Sequence, residues 1–196
     1  QVAFLPIGAD PNTAVYRAVS ADETAYFAKL RRGAFDETSV ALPKFLHDQG
    51  VAPIIPPLAT QTGRLWANLD VFTLILYPFV AGRNGYEVDL SDQHWVTFGT
   101  AVKRLHTAPV PPALLQRIQL ETYSPHGRQT IKMLLDRLDD DTFVDAVAVK
   151  LAAFLRPKRE QVLDLLDRAE RLAQVLQARP PEFVVCHSDL HAGNIL

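Results

Sequence analysis

Cysteine is nearly absent from the chain. Cys186 stands alone, which excludes an internal disulfide framework and fits a reducing compartment, the cytoplasm. Long hydrophobic runs are also lacking. The longest, "VFTLILYPFV", is far too short to span a bilayer and is interrupted by Pro78, so no membrane role is expected. No signal-peptide pattern opens the sequence, and Gln1 rather than methionine comes first, so the numbering is expected to start inside a longer protein. Charge of one sign is missing as well. A net charge of −2 leaves no basic footprint, which argues against nucleic-acid binding. Repeats and low-complexity segments do not occur. What remains is ordinary globular material, 48% apolar and 21% charged, long enough at 196 residues for one large domain or two small lobes.

The first eighty residues read as strands. "VAFLPI" passes through the turn-rich "GADPNT" to "AVYRAVS", and "ADET" then leads to "AYFAKLRR". The connections are too short for crossover helices, so an antiparallel meander is expected. "FDETSVALPKFLHDQG" has helical spacing and ends on Gly50; Pro43 should delay its start or bend it. "RLWANL" and "VFTLILYPFV" complete a sheet of about five strands. After "AGRNG" the pattern turns helical. Ser91 caps a stretch with apolar residues at Trp95, Phe98, Val102 and Leu105. Three more helical stretches follow, Pro157 suiting the first turn of the last. "FVVCHSD" returns to strand character, with Cys186 expected to be buried and inert. The organisation is therefore α+β: a sheet-rich lobe at 1–80 and a largely helical lobe at 81–196.

The last residues, "HSDLHAGNIL", concentrate His187, Asp189, His191 and Asn194, and three chemistries compete for them. In a strand, His187, Asp189 and His191 would face one way as metal ligands, though the other histidines are scattered singly. Alternatively, Asp189 and Asn194 match the D-x-x-x-x-N spacing of a phosphoryl-transfer loop, in which the carboxylate accepts a hydroxyl proton and the amide oxygen holds a metal. Gly193 would supply the backbone freedom for the turn. The third reading is a polar turn without chemistry. Elsewhere, "GADPNTA" has one glycine and no lysine, so it is neither a Walker A nor a G-x-G-x-x-G loop. Lys29 on the third strand is either a nucleotide-positioning cation or a solvated strand lysine. The run "DRLDDD" at Asp136–Asp141 would attract a cationic substrate or simply be solvated.

"HSDLHAGNIL" resembles the H-G-D-L-H-x-G-N motif of the aminoglycoside phosphotransferase family, with Ser188 in place of the usual glycine. "FLPIGADPNTAVYRA…YFAKL" and "LILYPFVAGRNGYEV" are similar to its spectinomycin-type branch, so the resemblance covers nearly the whole chain. It implies a bilobal protein-kinase-like fold and an ATP- (or GTP-) and Mg²⁺-dependent kinase acting on a small hydroxylated substrate. That substrate would be a cationic aminoglycoside or an aminocyclitol such as spectinomycin. By resemblance Asp189 is the catalytic base, Asn194 a metal ligand and Lys29 the ATP-positioning lysine. Glu37 is the nearest partner for Lys29, although the family's position falls nearer Ser39 and a first-turn acid would equally suit the helix dipole. Pro78 C=O and Val80 N–H would hold adenine at the hinge, and Asn12 and Thr13 would contact phosphate. Phe27 packs on the base or in the core, and His187 and His191 pack within the loop. A kinase of another hydroxylated metabolite and an inactive nucleotide-binding pseudokinase are the alternatives. A second metal-ligand aspartate would lie beyond Leu196. The chain is therefore expected to be C-terminally incomplete and, as it stands, inactive.

Overall fold

Alternating apolar residues and short polar turns produce five strands in a computed structural model that describes residues 1–8, 10–138 and 143–196. They are β1 (Val2–Leu5), β2 (Thr13–Val19), β3 (Ala25–Arg32), β4 (Ala67–Leu69) and β5 (Phe72–Pro78). All pair antiparallel in the order β1-β2-β3-β5-β4. The β2–β3 turn is set by Asp22, whose carboxylate accepts from Ser20 Oγ and from Thr24 N–H. Register then fixes which side chains share a face. Val15, Lys29 and Ile75 lie opposite one another, and Arg17, Phe27 and Tyr77 form the next row on the same side. Val15 and Ile75 are buried, which anchors Lys29 between two core residues.

Helix α1 (Thr38–Asp48) begins where the Asp36 carboxylate accepts from Thr38 N–H at 2.9 Å. It starts on time and runs through Pro43, whose missing N–H gives up the bond to the Ser39 carbonyl. Gly50, at φ +84°, ends it by donating its N–H to His47 C=O. The inward side chains Val40 and Leu46 are buried, and Leu46 joins Val51 and Val110 in a core that Leu105 and Val185 flank. Helix α2 (Asp92–His106) opens on Ser91 with a reciprocal cap: His94 N–H donates to Ser91 Oγ and Ser91 N–H to His94 Nδ1. Of its apolar stripe, Phe98, Val102 and Leu105 are half-buried and Trp95 is exposed. A short helix missed in the sequence, α3 (Pro112–Leu115), follows where Pro111 and Pro112 preset φ.

The described residues gather into two compact units, 1–118 with 184–196, and 119–183. These boundaries differ from the 80/81 division read in the sequence. The second unit holds α4 (His126–Arg137), α5 (Ala146–Leu155) and α6 (Arg159–Ala178), with Pro157 in a 3₁₀ turn just before α6. Leu135, Leu138, Ala152 and Leu166 form its core, and Arg128 Nε meets Glu170 at 2.7 Å between α4 and α6. Asp139, Asp140 and Asp141 of the acidic run lie outside the described residues.

Two expectations are corrected. "FVVCHSD" forms no strand, because among the described residues no strand lies beside it to pair its backbone groups. Cys186 is consequently exposed rather than buried. Among the described residues no helix is long and apolar enough to cross a membrane.

Candidate active site

The polar residues at the end of the chain are gathered by a single turn of 3₁₀ helix, Ala192–Asn194. Asn194 Nδ2 donates to Asp189 C=O at 2.8 Å and reaches Asp189 Oδ2 at 3.4 Å, so the spacing seen in the sequence becomes contact. With its amide nitrogen committed, the Asn194 side-chain oxygen is left as an acceptor beside a carboxylate. The Asp189 side chain is 78% exposed, open to an incoming hydroxyl. His191 ties the turn. Its Nδ1 accepts from Gly193 N–H at 3.1 Å, which puts the ring proton of the neutral form on Nε2, 3.9 Å from Asp189 Oδ2. His187 is exposed. Because 187–191 is not a strand, the alternation that would align His187, Asp189 and His191 is lost. Among the described residues no three His, Cys, Asp or Glu side chains are placed to hold a metal ion.

The backbone of the turn revises the reading of Gly193 and adds a feature at Ser188. Gly193 does not have positive φ; its value is space, since a Cβ would lie 2.9 Å from His191 Cε1 and 3.1 Å from Tyr86 Cε2. Ser188, by contrast, sits at φ +65°, the left-handed region that disfavours a β-carbon. The family motif's glycine at this position therefore has a conformational reason, and serine there carries strain.

The loop between β1 and β2 is organised by Asp10. Its carboxylate accepts from Asn12 N–H at 2.9 Å, Thr13 Oγ1 at 2.9 Å and Arg31 Nη1 at 3.0 Å. The Asn12 amide bond, then the Thr13 hydroxyl, hold the Asp10 carboxyl below its usual value, with smaller help from the Arg31 and Lys29 charges. Asn12 and Thr13 are thus brought together, with the Thr13 hydroxyl donating to Asp10. The signal was in "DPNT", an Asx-turn sequence. Lys29 stands half-buried in the middle of β3.

Glu37 precedes α1 as its N-terminal capping residue, but its carboxylate pairs with Arg117 Nη2 at 3.4 Å. No ion pair joins it to Lys29 among the described residues. Arg117 was not foreseen, because its approach depends on the turn after α3.

At the far end of β5 the ladder's parity is informative. Phe79 N–H donates to Ala25 C=O, so the alternation within β5 turns Pro78 C=O to the opposite side. Leu76 C=O, of the same parity, accepts from Leu58 N–H on that side. Pro78 thus presents an acceptor on that side, and Val80 follows two residues on, beyond the end of β5. In the preceding row, Phe27 packs edge-to-face on Tyr77 at 6.3 Å, and burial pushes the Tyr77 hydroxyl pKa up. Arg17 lies 5.2 Å over the Phe79 ring.

No curated protein matches the chain. Solved structures do. A spectinomycin phosphotransferase, APH(9)-Ia, in complex with ADP and spectinomycin is 32% identical with a TM-score of 0.90, over 100% of this chain and 59% of that one. Its AMP-bound complex gives 30% identity and a TM-score of 0.87, over 100% and 60%. An amicoumacin kinase, hAmiN, in complex with AMP-PNP, Ca²⁺ and its ligand is 18% identical with a TM-score of 0.54, a likeness of fold alone. The chain thus spans about 60% of the length of the spectinomycin phosphotransferase it matches. A sequence profile described as the phosphotransferase enzyme family covers residues 4–196. With the turn that joins Asp189 to Asn194 inside that match, the chain belongs to the phosphotransferase enzyme family.

Proposed function

We propose that these residues belong to an ATP-dependent kinase that moves the γ-phosphoryl group to a hydroxyl of an aminoglycoside or aminocyclitol antibiotic. The observation that carries the reading is the contact between Asp189 and Asn194 across one turn. In this reading Asp189 accepts the hydroxyl proton as the substrate oxygen attacks. Lys29 faces the nucleotide phosphates, with Glu37 as its candidate partner on release from Arg117. Asn12 and Thr13 stand on the loop that covers the phosphates. Pro78 C=O accepts from the adenine amine, which its direction away from β3 supports, and Val80 N–H donates to the ring nitrogen. Residues 1–80 would form the nucleotide lobe and 81–196 part of the helical lobe.

The donor present suits Mg²⁺: with its amide nitrogen bonded to Asp189, Asn194 has a side-chain oxygen, a hard ligand of the kind Mg²⁺ takes. Bound there, with Asn194 as its ligand, the ion would neutralise charge on the phosphate oxygens. The antibiotic class is favoured by the 32% identical relative, itself solved with spectinomycin. The test is a titration of the chain with ADP, followed by amide chemical shifts. Saturable changes at Val80 and Lys29 are expected. The absence of saturable binding, or changes confined to residues 119–183, would overturn the nucleotide assignment.

A further inference from the structure

The stretch following β5 grips the closing turn at three points. Gly85 N–H donates to Ala192 C=O at 2.9 Å and to Ile195 C=O at 3.1 Å. The Tyr86 ring stacks on the His191 imidazole, centroids 6.1 Å apart and planes 27° apart, with its Oη 3.4 Å from Nδ1. Gly82 lies against Leu196, whose Cβ would be 3.6 Å from a Cβ added at position 82. The gripping stretch is itself braced. Tyr86 N–H donates to Asn84 Oδ1 and Asn84 N–H to the Glu87 carboxylate, each at 3.0 Å. Position 85 is also tight for a side chain, since a Cβ would lie 3.1 Å from the Ala192 carbonyl oxygen, a backbone atom that would have to shift by a few tenths of an ångström.

These contacts converge on the geometry that matters. The imidazole that Tyr86 covers is the one that accepts from Gly193 N–H, and the turn it closes delivers Asn194 to Asp189. Tyr86 is 73% exposed, so its ring contributes little to any core and its placement needs another explanation. The same stretch begins a few residues after Pro78 and Val80.

We propose that Gly85 and Tyr86 are positioning residues, which hold the 191–195 turn so that the Asp189 carboxylate and the Asn194 amide are presented together. This rests on the kinase reading for its purpose, though not for its geometry. A nucleotide seated on Pro78 and Val80 and the transfer loop would then be fixed by one short stretch of chain. The His191 ring is the relay: stacked beneath Tyr86, it keeps Nδ1 toward Gly193 and Nε2–H toward Asp189.

The test uses Tyr86→Ala, Tyr86→Phe and Gly85→Ala. Amide hydrogen exchange at Gly193 and Asn194, and ¹⁵N spectra of the His191 ring, are measured on the 196-residue chain without nucleotide. Tyr86→Ala and Gly85→Ala should each speed exchange about tenfold or more, with the melting temperature unchanged for the exposed Tyr86. Tyr86→Phe should retain slow exchange and the Nε2–H tautomer. In kinase assays of the protein, Tyr86→Ala should lower kcat about tenfold or more at constant nucleotide KM, and Tyr86→Phe should restore it. Exchange in Tyr86→Ala within twofold of the parent, or an equal kcat loss in Tyr86→Phe, overturns the proposal. A parent protein without kinase activity would sink the phosphotransfer reading instead, and the exchange result would still decide whether the clamp exists.

Discussion

Replacing Ser188 by glycine should stabilise the protein, although it removes atoms. Ser188 is held at φ +65° between His187 and Asp189. A β-carbon in the left-handed region costs about 1–2 kcal/mol from its approach to the following carbonyl. Glycine escapes that cost but loses more backbone freedom on folding, about 0.5–1 kcal/mol. The difference favours Ser188→Gly by about 0.5–1 kcal/mol, provided the loop keeps its native turn. At about 2–4 °C per kcal/mol for a chain of this size, the melting temperature should rise by about 1–4 °C. Urea unfolding of Ser188→Gly, Ser188→Ala and Ser188→Val gives the controlled series. Alanine keeps the β-carbon and should resemble serine, whereas valine adds branching in the same strained conformation and should fall about 1 kcal/mol or more below it. A parent more stable than Ser188→Gly, or valine equal to serine, would show that the turn does not hold residue 188 in the left-handed region, and the reason offered for the family's glycine would go with it.

Lys29→Ala should weaken ADP binding and lower kcat/KM without unfolding the sheet; unchanged kinetics with unchanged melting would return Lys29 to a solvated strand position. Arg117→Ala should change stability by no more than about 0.5 kcal/mol, since both members of the ion pair are nearly half exposed. It should also raise ADP affinity severalfold by freeing Glu37 for Lys29; calorimetry showing equal or weaker binding would restrict Glu37 to the end of α1. Asp10 provides a pH test. Its carboxyl is held below the ordinary value of 3.8, so its bonds to Asn12 and Thr13 order the loop above that pH and are lost as pH falls through the lower, folded value. The Asn12 amide shift should therefore titrate below about pH 4 and stop titrating in Asp10→Asn, and a shift that titrates in both would reject the link.

Most of the sheet could be read from sequence because its strands alternate and its turns are short, and the α2 cap at Ser91 was visible in the same way. The contact between Asp189 and Asn194 was legible too, since a five-residue interval is local. What escaped depends on neighbours distant in sequence. "FVVCHSD" has strand composition, yet a strand needs a partner, and composition cannot report one. Arg117 meets Glu37 from 80 residues away, and Tyr86 meets His191 from 105, so no window of sequence contains either pair. Gly193 was recognised as a necessary glycine for the wrong reason: the requirement comes from two rings that crowd it, not from its own backbone. The strain at Ser188 lies in a backbone angle that residue type alone does not report.

The kinase proposal rests on Asp189 as the base of a phosphoryl-transfer loop. The direct measurement is transfer of label from γ-labelled ATP to spectinomycin by the protein and its Asp189→Asn variant, with ADP affinity measured on both. The substitution keeps the carbonyl contact to Asn194 and the shape of the turn while removing the proton acceptor. A loss of about 10²–10⁴ in kcat at unchanged ADP affinity is expected. A variant that transfers label at near-parental kcat would contradict it.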